Sequence, residues 1–202
     1  MDGKKRTLGT ITLAMTFALT LDPTPTEGSE PKRELRLAWF SGRLSYPVNF
    51  KTVSREVETT FADLGIDVAW VPAAVPSQDV LKVIILPVEP SSWNLPADTM
   101  GVYLGDDGLQ PAVYIFVRNV LRALSLDGRM ERIPTHRERH QIARALGKVV
   151  AHEIIHALTS DCTHESEGLM RNALGRYLLL NQRDHLEPQR VDSIYRGLRR
   201  LN

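Results

Sequence analysis

Cysteine is almost missing from this chain: Cys162 is the only one in 202 residues, which excludes an intrachain disulfide framework. An excess of one charge is missing too. Lys and Arg number 25 against 24 Asp and Glu, so nothing in the balance points to nucleic acid or to acidic substrates. Repeats and long low-complexity runs are absent. The apolar stretch from Leu8 to Leu21, interrupted by several threonines, is too short for a comfortable transmembrane helix. Behind Lys4, Lys5 and Arg6 it reads as the core of a signal peptide, although no clean small-residue cleavage site follows. No cysteine stands near residue 22 to carry a lipid anchor, and Asp22 to Ser29 reads as a flexible tether. The expectation is therefore a signal-like segment and linker over 1–31, export, no stable membrane anchor, and one domain over 32–202. A hydrophobic content of 43% gives that domain enough material for a real core.

What the sequence does have begins with alternation. Glu34 to Phe40 reads as a strand. Phe50, Val53, Val57, Phe61 and Leu64 recur at helical spacing, Gly65 ends that helix, and Ile66 to Val71 returns as a strand. Strand, helix, strand in this rhythm predicts a parallel pair joined by a right-handed crossover. Val80 to Val88 is a further strand, and Pro90 to Asp98 a loop carrying Trp93. Gly101–Leu104 and Ala112–Val117 flank a turn-rich Gly-Asp-Asp-Gly and read as a hairpin. A helix over Arg118–Leu126 follows. Near the C-terminus, Ala173–Leu180 reads as helical, and Pro188 opens a last helix with Val191, Ile194, Tyr195, Leu198 and Leu201 on one stripe. Its Arg190, Arg196, Arg199 and Arg200 are expected on a solvated face.

The chemistry sits between those parts. Thr135, with Glu138 three residues on, forms a capping-box signature that starts a long helix. Val149, Val150, Ala151, Ile154, Ile155 and Leu158 make that helix apolar almost all round, hence buried. Within it stands His152-Glu153-Ile154-Ile155-His156. Residues four apart share one helix face, so two imidazoles point at one place, the arrangement zinc needs from two ligands. Glu153 projects beside them without being a third ligand. Polar groups buried this deeply need partners, and a metal supplies them.

This HExxH, followed by a short turn, a further histidine at His164 and a turn ending in Met170, resembles the metzincin metallopeptidases over His152 to Met170. The resemblance implies zinc bound by His152, His156 and His164, Glu153 as general base, and Met170 as an apolar floor under the metal. It also implies an α/β (α+β) zincin-like fold: a mixed twisted sheet, the HExxH helix against it, an upper part to about residue 158, and a small, mostly helical lower part over 159–202. One strand of the 101–117 hairpin would edge the cleft, free to take up an extended peptide. The pattern departs from the usual HExxHxxGxxH, because Thr159 stands at the glycine position and Cys162 at the last histidine's. Cys162 is therefore the rival third ligand.

Other residues have lesser parts. His136 and His140 read as a solvated helix start and His185 as a loop residue. Asp161, Glu165 and Glu167 are either surface carboxylates or acceptors that orient His164. Glu187 would be the third ligand in a thermolysin-like arrangement, and Tyr114 and Tyr177 are weakly placed to hold an oxyanion. The function expected is an exported zinc-dependent peptidase acting on a peptide or protein substrate, with zinc as cofactor and Glu153 as base. The alternative is a zinc-stabilised binding or scaffold protein without turnover. Retention of Glu153 favours the enzyme, since a structural site has no need of that carboxylate. Cleavage specificity and oligomeric state are not legible from the sequence.

Overall fold

The computed structural model describes residues 33–42, 44, 48–74, 79–105, 111–126, 133–181 and 185–201. They all belong to one unit, Lys32–Asn202; the other, Met1–Pro31, lies outside the described residues and with it the expected signal segment. No helix among the described residues is long and apolar enough to cross a membrane.

Five strands make one sheet: β1 (Glu34–Ser41), β2 (Asp67–Val71), β3 (Leu81–Leu86), β4 (Gly101–Leu104) and β5 (Ala112–Phe116), in the order β2-β1-β3-β5-β4. The first four in that order run parallel, and β4 is antiparallel to β5. This is the mixed α/β sheet the alternation predicts, with the expected parallel pair β1–β2 and the hairpin at one edge. The periodicity of two explains the faces. Leu35, Leu37, Leu81, Val83, Ile85, Val113 and Ile115 are all buried toward the helices. Arg36, Lys82 and Tyr114 lie on the opposite face and are half-buried.

The helices are α1 (Phe50–Ala62), α2 (Val117–Ala123), α3 (His136–Thr159), α4 (Arg176–Asn181) and α5 (Pro188–Leu201). Val53, Val57 and Phe61 of α1 are fully buried in the same core as the inner strand residues and α3. α4 starts at Arg176, three residues later than the apolar run predicts, because the chain from Gly168 to Gly175 is occupied in a turn under α3.

α3 begins as the capping box predicts. The Glu138 N–H donates to Thr135 Oγ1 at 3.3 Å and the Thr135 N–H to Glu138 Oε2 at 2.8 Å. From Ile142 to Leu158 nearly every residue is buried, as a helix apolar all round requires. α3 is therefore the axis of the domain, packed on the sheet along one flank and on α1, α4 and α5 along the others.

Candidate metal centre

His152, Glu153 and His156 are 5%, 7% and 7% exposed, polar groups carried into the core by the helix that their apolar neighbours bury. The two imidazoles share a face, with ring centroids 4.6 Å apart and Nε2 atoms 3.0 Å apart. Each Nδ1 has a backbone partner: His152 meets the Leu169 carbonyl at 2.8 Å and His156 the Asp161 carbonyl at 2.6 Å. A carbonyl only accepts, so both Nδ1 atoms carry the proton and both Nε2 atoms present lone pairs. Two lone pairs facing each other at 3.0 Å in a buried site repel unless a cation lies between them.

The chain after α3 brings a third donor. Ser160 ends the helix in the left-handed conformation (φ 50°, ψ 36°), the task a glycine usually performs. The chain then turns back so that the His164 ring stacks on His152 at 5.4 Å and lies 5.0 Å from His156. Ligand nitrogens of the three histidines all lie within 4.8 Å of one another. Donors on a tetrahedral zinc at about 2.0–2.1 Å are about 3.3 Å apart, so the trio has the spacing and the chemistry for that ion. Charge at the site runs the same way. Burial lowers the affinity of His152 for a proton, to a pKa of about 3, and lowers those of His156 and His164 as well. Neutral imidazoles are the form a metal binds.

Glu153 points to the cleft rather than to the trio. Its carboxyl has no hydrogen-bond partner among the described residues, and burial raises its pKa to about 8. It lies directly against β4. A Cβ on Gly101 would come within 2.6 Å of Glu153 Cγ and 2.8 Å of Oε1, so any larger residue here would have to displace the Glu153 side chain. The histidines and Glu153 open into a cavity of about 480 Å³ whose walls include Met100, Gly101 and Tyr103 on one side and Asn172, Ala173 and Leu174 on the other. β4 is the outer strand of the sheet, so its far edge, beside this cavity, pairs with no described strand.

The turn under the helix supports the site from below. The Leu169 carbonyl that accepts the His152 Nδ1–H hydrogen bond lies in a turn fixed from two sides: the Leu169 N–H donates to the His185 carbonyl, and the Glu165 N–H to the carbonyl of Met170. Gly168 (φ 72°) makes the bend and also lets the His185 backbone pass in contact with it. Met170 is fully buried in the core.

Among the sequence-predicted residues, the structure gathers His152, His156 and His164, places Glu153 beside them and Met170 in the turn below. Cys162 is exposed on the cavity wall and outside the cluster. His136, His140 and His185 are exposed and not part of it. Glu187 is also outside it, donating its N–H to Glu165. Tyr177 is 73% exposed and Tyr114 packs edge-on against Trp93, 4.9 Å between centroids; neither lines the cavity. Asp161 and Glu165 orient no imidazole through their carboxylates. Both bind Arg190 instead, and Asp161 serves His156 through its backbone carbonyl. Arg190 corrects the expectation of a solvated face, since its side chain is 9% exposed. Sequence reasoning also missed Gly101 and Asn172. An isolated glycine opening a strand is the signal that marks Gly101 as a place of close approach; nothing marks Asn172.

No protein-family profile and no curated protein matches the sequence. Among solved structures the chain is similar to the crystal structure of an archaemetzincin from Methanopyrus kandleri, with a TM-score of 0.47 and 11% identity over 85% of this chain and 99% of that one. At that level the likeness carries no weight for function, which rests on the three imidazoles, Glu153 and the cleft they share.

Proposed function

We propose that this chain is a zinc-dependent peptidase, with His152, His156 and His164 holding the metal and Glu153 acting as general base. The observation that carries it is the convergence of three neutral imidazoles beside a buried, unpartnered carboxyl at the head of one open cleft. Zinc held by His152, His156 and His164 would supply Lewis acidity toward a peptide carbonyl and toward water near neutral pH. The protein's own groups do the rest. Glu153, as the carboxylate that a cation at the histidines would favour, takes the proton of the attacking water and delivers it to the leaving amine. The open edge of β4 beside Glu153 fits an extended peptide added as a further strand, which sets the scissile bond over the histidines. The Leu169 and Asp161 carbonyls hold the two helical imidazoles in the tautomer that leaves Nε2 free.

The test combines metal content of the purified protein with cleavage of an unstructured protein such as casein. Stoichiometric zinc and chelator-sensitive cleavage support the proposal. Zinc held without cleavage across a broad peptide library would instead make the chain a zinc-stabilised scaffold. Export belongs to the same proposal, on the strength of the basic start and apolar Leu8–Leu21 stretch. Its check is the N-terminus of the protein recovered outside the cytoplasm, which should lie beyond Leu21.

A further inference from the structure

Arg190 stands near the start of α5, in a helix where Arg196 donates to the Ser193 hydroxyl and Arg200 to the Leu158 carbonyl. Its own guanidinium does more. Nε donates to Glu165 Oε1 at 3.1 Å, Nη1 to Asp161 Oδ2 at 3.1 Å, and Nη2 to the Thr163 carbonyl at 3.1 Å and its hydroxyl at 3.2 Å. Every nitrogen of the fork is used, and every partner lies between residues 161 and 165. Thr163 and Glu165 are the two neighbours of His164. Asp161 in turn receives the Thr163 N–H at 2.8 Å and hydroxyl at 2.6 Å, and its own carbonyl accepts from His156 Nδ1. Glu165 is only 5% exposed in its side chain, so its charge depends on Arg190 for a partner.

We propose that Arg190 is the positioning residue of the metal centre, which sets the third histidine by clamping the residues on both sides of it. The inference rests on the zinc-site reading above. The physical need is plain. α3 fixes two imidazoles by its own hydrogen bonds, but His164 is exposed, on a turn without regular structure, and has no glycine at position 159 to fold it. Ser160 provides the bend, and a rigid planar fork with three directed nitrogens then locks the five residues that follow. A lysine, with one point charge, cannot reach both carboxylates and the carbonyl together. Arg190 touches neither substrate nor reacting atoms, and its effect passes through His164.

The experiment compares Arg190→Gln, Arg190→Lys and His164→Ala with wild type, reading zinc affinity by chelator competition and the visible spectrum of the cobalt-substituted proteins. Loss of a group supporting a ligand costs about 10–100-fold in metal affinity. Arg190→Gln is expected to fall in that range and to shift the cobalt bands, with Arg190→Lys between it and wild type. In the His164→Ala background Arg190→Gln should add less than threefold, because its target is already gone. A purely structural role would give the same loss with or without His164, and that additivity would overturn the proposal. Equal affinities for wild type and both Arg190 variants would overturn it too, while leaving the peptidase reading intact. A wild-type protein that binds no zinc would overturn both. If Arg190→Gln does not fold, the cycle is run with Arg190→Lys, and the same non-additivity is required.

Discussion

The helical half of the candidate metal centre and the turn that completes it are built by opposite means. In α3, His152 and His156 are four residues apart on a helix with its own cap, its own hydrogen bonds and an almost continuous buried surface. Their alignment follows from local geometry. Between Ser160 and Arg171 there is no helix or extended strand pairing. His164 is exposed, and its place depends on contacts from farther along the chain: Arg190 from α5, and the His185 backbone, which meets the turn at Gly168 and Leu169. The comparison teaches that a metal site can be half prescribed by periodicity and half assembled by packing. The second half is where substitutions distant in sequence should act on the metal.

The largest effect that would test this division is on Glu153, which belongs to the helical half but not to the metal. Glu153→Ala should lower kcat/KM on a peptide substrate about 10²–10⁴-fold, the usual worth of a general base, while zinc occupancy stays near wild type. Metal loss in that variant would make Glu153 a ligand and sink its assignment. Next comes the turn itself. His164→Ala should weaken zinc binding by more than the roughly 10–100-fold that removal of a supporting group costs, whereas Cys162→Ser should change it little. A cobalt-substituted wild type with an intense near-ultraviolet thiolate band, lost in Cys162→Ser, would reverse the choice between them.

Gly101 joins the sheet edge to the helix. Gly101→Val forces atoms into the space of Glu153 Cγ and Oε1, and a displacement of about 1 Å at a reacting group costs on the order of 10²-fold in rate. The expected result is a fall in kcat with zinc affinity unchanged; unaltered kcat would mean that Glu153 has room to move. Titration of the metal-free protein sharpens the contrast further. Burial raises Glu153 from 4.5 to about 8, so the stability this group gives is full below its unfolded value and is lost as pH rises through 8. The lowered pKa of His152 acts oppositely: its stability is lost as pH falls from 6.5 toward 3. Between pH 6.5 and 8 the Glu153 effect stands apart, on the order of 1–2 kcal/mol. Denaturant midpoints in chelator should fall across that window and flatten in Glu153→Gln. The smallest effect lies at the far end of α3, where Thr135→Ala removes the cap and should cost about 1 kcal/mol of stability, leaving zinc affinity alone. A loss of zinc affinity there would show that the helix start and the metal are coupled.

Much of the fold was legible because it is local. The strand alternations at Glu34, Ile66, Val80 and Ala112 and the α1 periodicity each appear within one residue or a few of where they were expected. The capping box at Thr135 and Glu138 begins α3 at the predicted residue. The start of α4 was not legible, because Ala173 to Gly175 carry helix-compatible residues that a tertiary turn holds in another conformation. Arg190 misled for a related reason. On a helical wheel it belongs with Arg196, Arg199 and Arg200, and only the return of the chain at Asp161 to Glu165 gives it a buried partner.

By itself, then, the sequence determined the two helical imidazoles, the carboxylate beside them, the parallel pair of strands and the edge hairpin, because each follows from spacing along a regular element. Only the tertiary structure gathered His164, and not Cys162, with the two helical imidazoles, set Gly101 against Glu153, and drew Arg190 into the turn. Those depend on which turns and elements meet in space, and side-chain spacing along one element carries no record of that meeting.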